Sequence, residues 1–293
     1  MLYLHGILNS VWMIEEGFAS NYLPLIANFL QGKTAGNPKS SSDEKKEYTS
    51  DNGVLFASVK NGAYEISDYE GYRSPKDAPE DSVALISIIG SITKHDQNCG
   101  PAGMKTKSGI LTQCYANPNI KGIVLIIDSG GGEGMACRLL QETISHRNKG
   151  IAAFVEDFAC SAAYGIASAC DTITLNSEMA RVGSIGTYLT IADFTEYYKK
   201  IGINLIEIYA SKSTDKNQDY YEAIKGNKKP LEAVCDKFNE NFITSIANFR
   251  KGRISEEQSK WNTGKVFFAK EAINLGLADE ISTLEQVINY FNT

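Results

Sequence analysis

Apolar residues are thinly spaced along the first 80 positions and then fall into short dense runs. In the opening stretch Leu23, Leu25, Ile26, Phe29 and Leu30 share one face at helical spacing, so residues 1–32 read as a helical arm. GKTAGNPKSSSDEKKEYTSDNG follows, polar and rich in Gly, Ser and charge, and reads as a surface loop or linker. Residues 54–72 alternate weakly, as a short hairpin would, and SPKDAPED then breaks the pattern. The division expected is an arm over 1–32, a linker with hairpin over 33–80, and an α/β domain over 81–293.

From Val83 the pattern alternates between two kinds of segment. Val83–Ile89, Gly122–Asp128, Ile151–Val155, Thr172–Leu175 and Ile203–Tyr209 are short apolar runs that read as buried strands. Between and after them, 109–117, 135–147, 161–169 and 193–202 read as helices. Residues 219–253 read as one long helix or two, broken near Gly226 and Pro230, and 270–277 and 284–291 as short ones. Strand–helix alternation predicts a parallel sheet with right-handed crossovers and helices on its faces.

Composition narrows the function classes. Hydrophobic residues make up 43% and charged residues 22%, an ordinary globular balance, and the net charge is −6. Basic residues occur in nothing longer than pairs such as Lys45–Lys46 and Lys228–Lys229, so no nucleic-acid partner is expected. The six cysteines form no CxxC pair and no histidine stands at metal-ligand spacing from one, so neither a metal nor another cofactor is expected. Scattered thiols suggest a reducing compartment. The N-terminus has no basic n-region and meets Glu15 and Glu16 before any apolar run reaches the ~20 residues of a membrane helix. A cytoplasmic protein without a membrane partner is expected.

Two segments are candidates for chemistry. Asp128-Ser129-Gly130-Gly131-Gly132-Glu133-Gly134 lies between a strand and a helix, where glycines let backbone N–H groups turn toward an anion. No Lys-Ser/Thr follows, so it is not a phosphate-cradling P-loop; a tight strand-to-helix turn explains the glycines equally well. Ala159-Cys160-Ser161-Ala162-Ala163-Tyr164-Gly165 opens the next helix at the same carboxyl edge of the sheet, where open α/β sheets place their sites. Ser161 there is either a nucleophile or a helix cap. His5, His95 and His146 do not stand where a Ser-His-Asp set needs a histidine, so a nucleophilic Ser161 would need another base. A lysine serves if burial holds its amine neutral.

VALISIIGSITK, IKGIVLIIDSGGGEGMA and DFACSAAYGIASACDTITLNSEMARVGSIG, in this order and over residues 83–281, resemble the signal peptide peptidase A family of serine proteases, peptidase family S49. The arm around Trp12 resembles the phage and prophage head-maturation branch. The resemblance implies a crotonase-like (ClpP-type) α/β fold, a parallel-sheet spiral of ββα units with flanking helices. It implies Ser161 as nucleophile, an oxyanion hole of backbone N–H groups from Gly131 or Gly132 and from Ala162, and a homo-oligomeric ring. Its substrates would be proteins or peptides, capsid or scaffold proteins among them, and its setting the bacterial host or virion assembly. The family's Ser-Pro-Gly-Gly turn has Gly130 in place of proline. An ungapped alignment puts Thr214 at the lysine position; a two-residue insertion favours Lys216, and Lys212 competes. Two other readings stay open: an inactive capsid-assembly component on the same fold, and an acyl-CoA hydratase or isomerase with Glu133 or Glu156 as acid and base.

Overall fold

In the computed structural model the described residues are the backbone of 11–14, then 53–60, 63–66, 71–97 and 100–291. Four parallel strands form the centre of the sheet: β4 (Ser82–Ile92), β5 (Ile120–Glu133), β6 (Gly150–Cys160) and β7 (Thr172–Leu175). The helices between them are α1 (Met104–Ala116), α2 (Gly134–Ser145) and α3 (Ala162–Ser168). All four central runs are strands because side chains on both faces are buried. Ile123, Leu125 and Ile127 of β5 meet the helices, and Val124 meets the opposite layer.

That opposite layer contains α8 (Leu284–Asn289), whose Val287 and Ile288 pack on Val124 and Phe154. A capping box between Thr283 and Gln286 starts this helix. Beside β4 lies the antiparallel hairpin of β2 (Leu55–Lys60) and β3 (Ala63–Ile66). On the helix side, α6 (Lys229–Phe249) inserts Phe242 and Ile246 into the main core. Pro230 sits in the first turn of α6, where its missing N–H costs nothing, so it starts the helix rather than breaking one. α5 (Gln218–Ile224) precedes it, and α4 (Thr195–Lys200) and α7 (Ala269–Asn274) are single-turn pieces.

The sheet divides at two places, one in the β6 segment that runs into Ser161 and one in the glycine run of β5. β6 pairs with β7 over Ala152–Val155 but with β8 (Arg181–Gly183) over Phe158–Cys160. β5 pairs with β6 as far as Ser129 beside Ala159, and from Gly131 its neighbour is β1 (Val11–Ile14), antiparallel. β1 also pairs with β9 (Tyr188–Leu189), and β8 with β10 (Val266–Phe268). β11 (Glu280–Ile281) adds to β7.

Three expectations change. Within the arm 1–32, residues 11–14 are a strand rather than a helix; the other residues of the arm lie outside the described ones. The glycine run is not a turn after a seven-residue strand: β5 continues through it to Glu133, because β4 and β1 supply ladder partners on both sides. Ile203–Tyr209 is not a strand in the protomer, and Leu205, Ile206 and Ile208 are 67%, 84% and 92% exposed. Its β-rich composition fits a pleated surface, but no neighbouring strand within the described residues receives it.

Candidate active site

Ser161 stands where β6 ends and α3 begins. Its φ of 54° and ψ of −119° are a conformation that L-residues rarely adopt. Such strain is typically worth 1–3 kcal/mol and persists only where the surroundings over-determine it. Here they do. The Ser161 N–H donates to the Gly183 carbonyl at 2.7 Å, and the Ser161 carbonyl accepts from Gly165 N–H at 2.9 Å. Ser161 is not a side-chain cap: its hydroxyl takes no hydrogen bond from the first turn of α3. Ala162 and Ala163 are fully buried.

Tyr164 and Gly165 hold this turn from behind. The Tyr164 hydroxyl donates to the Leu277 carbonyl at 3.0 Å, and burial pushes its phenol well above the usual range. A Cβ on Gly165 would stand 2.5 Å from Cys137 Sγ and 2.7 Å from the Phe242 ring, so only glycine lets α2 and α6 close on α3. Gln141 Nε2 also donates to the Gly165 carbonyl at 2.8 Å. Neither residue stood out in the sequence as a support for Ser161; the spacing from the serine was the one available signal.

The glycine run lies alongside. Since Ser129 is beside Ala159, two residues farther along each strand are Gly131 and Ser161. Gly131 has φ of 107°, accessible to glycine, and its N–H donates to Ser129 Oγ at 3.1 Å. Ser129 Oγ in turn donates to the Gly90 carbonyl. Gly132 lies against β4 so closely that a Cβ would come within 1.9 Å of the Ile92 carbonyl oxygen. On the other side of Ser161, Gly183-Ser184-Ile185-Gly186 is braced by the chain before β10. Ser184 N–H donates to the Lys265 carbonyl, and Gly264 N–H to that of Ile185.

The remaining candidates are elsewhere. Lys212 and Lys216 lie in the 211–217 loop before α5; both are exposed, and no hydrogen bond joins either to Ser161 among the described residues. Thr214 is exposed in the same loop. Glu133 accepts from the Lys94 N–H at 2.8 Å, tying the end of β5 to that of β4. Glu156 has its carboxyl pushed up by burial and by Asp128 and Asp157. His146 is exposed at the end of α2, bonded to Glu142. Burial pushes the Cys114 and Cys137 thiols up to about 12, so these are packing residues.

The family model of peptidase family S49 matches residues 144–293, a span of more than half the chain that includes Ser161. The chain belongs to that family.

Among its relatives is a protein of Methanocaldococcus jannaschii named provisionally as a protease, 28% identical over 62% of this chain and 61% of that protein. The head-tail preconnector protein GP5 of Enterobacteria phage P21 is 26% identical over 72% of this chain and 43% of its own. Capsid assembly protease C of Escherichia phage lambda is 25% identical over 68% of this chain and 46% of its own. The chain thus spans about half the length of these relatives. Among solved structures, a ClpP1 mutant from Listeria monocytogenes superposes with a TM-score of 0.44 at 15% identity, over 70% of this chain and 94% of that one.

Proposed function

We propose that this chain is a serine endopeptidase in which Ser161 attacks the peptide carbonyl and a lysine takes its proton. The observation that carries the reading is the Ser161 backbone, strained at φ 54° and bound to Gly183 at the carboxyl edge of the sheet. Strain of this kind recurs at strand-to-helix turns that carry a nucleophile, and here Ser161 is 1% exposed in the protomer. Membership of a peptidase family and the relative named as a capsid assembly protease support protein substrates, capsid or scaffold proteins among them.

The tetrahedral oxyanion would be met by the Ala162 N–H, a free donor of the first helical turn, and by Gly131 or Gly132. A Gly131 donor would have to exchange Ser129 Oγ for the substrate oxygen. Lys216 is the preferred base and Lys212 the competitor. Either amine has to lose water to be neutral near pH 7, and both are exposed in the protomer. The apolar face of 203–209, a few residues before them, supplies a means: a second copy of the chain seated there would cover it and dry the adjacent loop. A homo-oligomer, ring-shaped in the expected case, is therefore part of the proposal.

The test is labelling of the full chain with a fluorophosphonate across pH, in the parent and in Ser161→Ala, Lys212→Ala and Lys216→Ala. Labelling is expected to vanish with Ser161→Ala and to fall at least about a hundredfold at neutral pH with Lys216→Ala, the scale of general-base assistance. Undiminished labelling in Ser161→Ala would overturn the nucleophile. Loss with Lys212→Ala instead would reassign the base.

A further inference from the structure

The edge of β5 left free where its pairing with β6 ends is already filled by residues 11–14 of the chain itself. β5 loses β6 as its neighbour after Ser129, where β6 turns away into Ser161 and α3. The vacated edge is taken up at Gly131 by β1, with Ile14, Met13 and Trp12 opposite Gly131, Gly132 and Glu133. On its far side β1 is closed by β9, with Val11 opposite Leu189 and Trp12 opposite Tyr188. β1 is therefore an extended segment bonded on both edges, running antiparallel to the glycine run. Its Ile14 end pairs with Gly131, two residues past Ser129, the last β5 residue paired with β6, and Ser161 is two residues past Ser129's partner Ala159.

An extended peptide bound by strand addition makes this kind of contact, main chain to main chain along a free edge. From the register and direction of β1 we infer that residues 11–14 act as a built-in pseudo-substrate. They hold the acyl side of the cleft, N-terminal to a scissile bond, and block it until they are displaced. This rests on the peptidase reading for its consequence, but not for the occupancy itself. The cleft in its open form would take an extended polypeptide through backbone pairing with Gly131–Glu133 on one edge and Tyr188–Leu189 on the other. Because β1 is tethered, its effective concentration at the slot is of the order of millimolar, and a free peptide at micromolar levels cannot compete with it.

The experiment uses the full chain with Met13→Pro, and separately Trp12→Pro. Trp12 is paired on both edges, with Glu133 and Tyr188, and Met13 sits in the middle of the three pairs to β5, so proline at either position interrupts the ladder. Three readouts are taken. A fluorescein-labelled peptide of residues 9–16 is titrated into the Ser161→Ala chain with and without Met13→Pro. At least tenfold tighter binding is expected with the proline; equal binding, or none in either chain, overturns the assignment. Hydrogen exchange on the unaltered chain is expected to show slow amides at 11–14; exchange there at the rate of an unstructured peptide also overturns it, whatever the variants do.

Fluorophosphonate labelling of Ser161 is expected to rise at least fivefold in Met13→Pro. An unchanged or lower rate, with normal exchange protection in β4–β6, would make β1 a structural strand and not a plug. If neither chain is labelled while the peptide still binds only the proline variant, the slot stands and the peptidase reading fails.

Discussion

The N–H of Ser161 donates to the carbonyl of Gly183 at 2.7 Å, and both residues have positive φ, 54° and 117°. Two adjoining strand ends, β6 and β8, thus leave regular geometry together, and one hydrogen bond fixes the turn of each against the other. The backbone of the candidate nucleophile is set from a segment more than twenty residues away.

If that turn is strained, glycine should relieve it and alanine should not. Ser161→Gly is expected to be more stable than Ser161→Ala by about 1 kcal/mol, a difference of about 2–4 °C in Tm for a domain of this size. Both should be inactive. Calorimetry on the two variants decides the point, and a lower Tm for the glycine variant would refute the strain.

Glycine in β5 answers to a different constraint. A Cβ at position 132 would stand 1.9 Å from the Ile92 carbonyl oxygen, so Gly132→Ala must push β4 and β5 apart. A loss of about 2–4 kcal/mol is expected from urea unfolding, with loss of Ser161 labelling. Gly109→Ala, in the middle of α1 with nothing within 4 Å of the added carbon, is the control and should gain about 0.5–1 kcal/mol.

Arg250 and Asp279 give a pH dependence. The Arg250 side chain is fully buried, and it bonds Asp279 through two nitrogens at 2.9 Å and the Gly276 carbonyl. Burial raises the Asp279 carboxyl, but the hydrogen bond and charge of Arg250, helped by the Ile173 N–H and by Arg253, outweigh it and leave it below the usual range. A depressed carboxylate contributes stability that is full above its unfolded pKa near 4 and is lost as pH falls through the folded value. Asp279→Asn is expected to cost about 3 kcal/mol at pH 7, since it leaves a buried guanidinium unpaired. The gap to the parent should narrow below about pH 4; a pH-independent gap in urea titrations would count against the pair.

The 203–209 segment should matter for assembly and not for the fold of the protomer. Ile206 and Ile208 are 84% and 92% exposed, so Ile206→Lys with Ile208→Lys removes no core contact. Sedimentation is expected to show dissociation to smaller species with an unchanged Tm of the protomer and weaker Ser161 labelling. A distribution identical to the parent would leave the second copy without a seat there.

Much of this architecture can be read from residue type and spacing alone. β7 has the bounds its apolar run predicts, and β4, β5 and β6 contain theirs, because a strand buried on both faces must be apolar at every position and that pattern is local. Ser161, the glycines and the helix after the serine are likewise visible, since small residues clustered at a strand end have few other uses. Tertiary structure alone decided the rest. The switch of β6 from β7 to β8 and of β5 from β6 to β1, the φ of Ser161, and the bracing by Tyr164 and Gly165 all depend on partners far off in sequence. The same holds for Val11–Ile14, too short a run to show its strand by period, and for Ile203–Tyr209, apolar enough for a strand but without a neighbouring strand among the described residues. Periodicity reports what a segment can bury; pairing across the chain determines where it is buried, and against what.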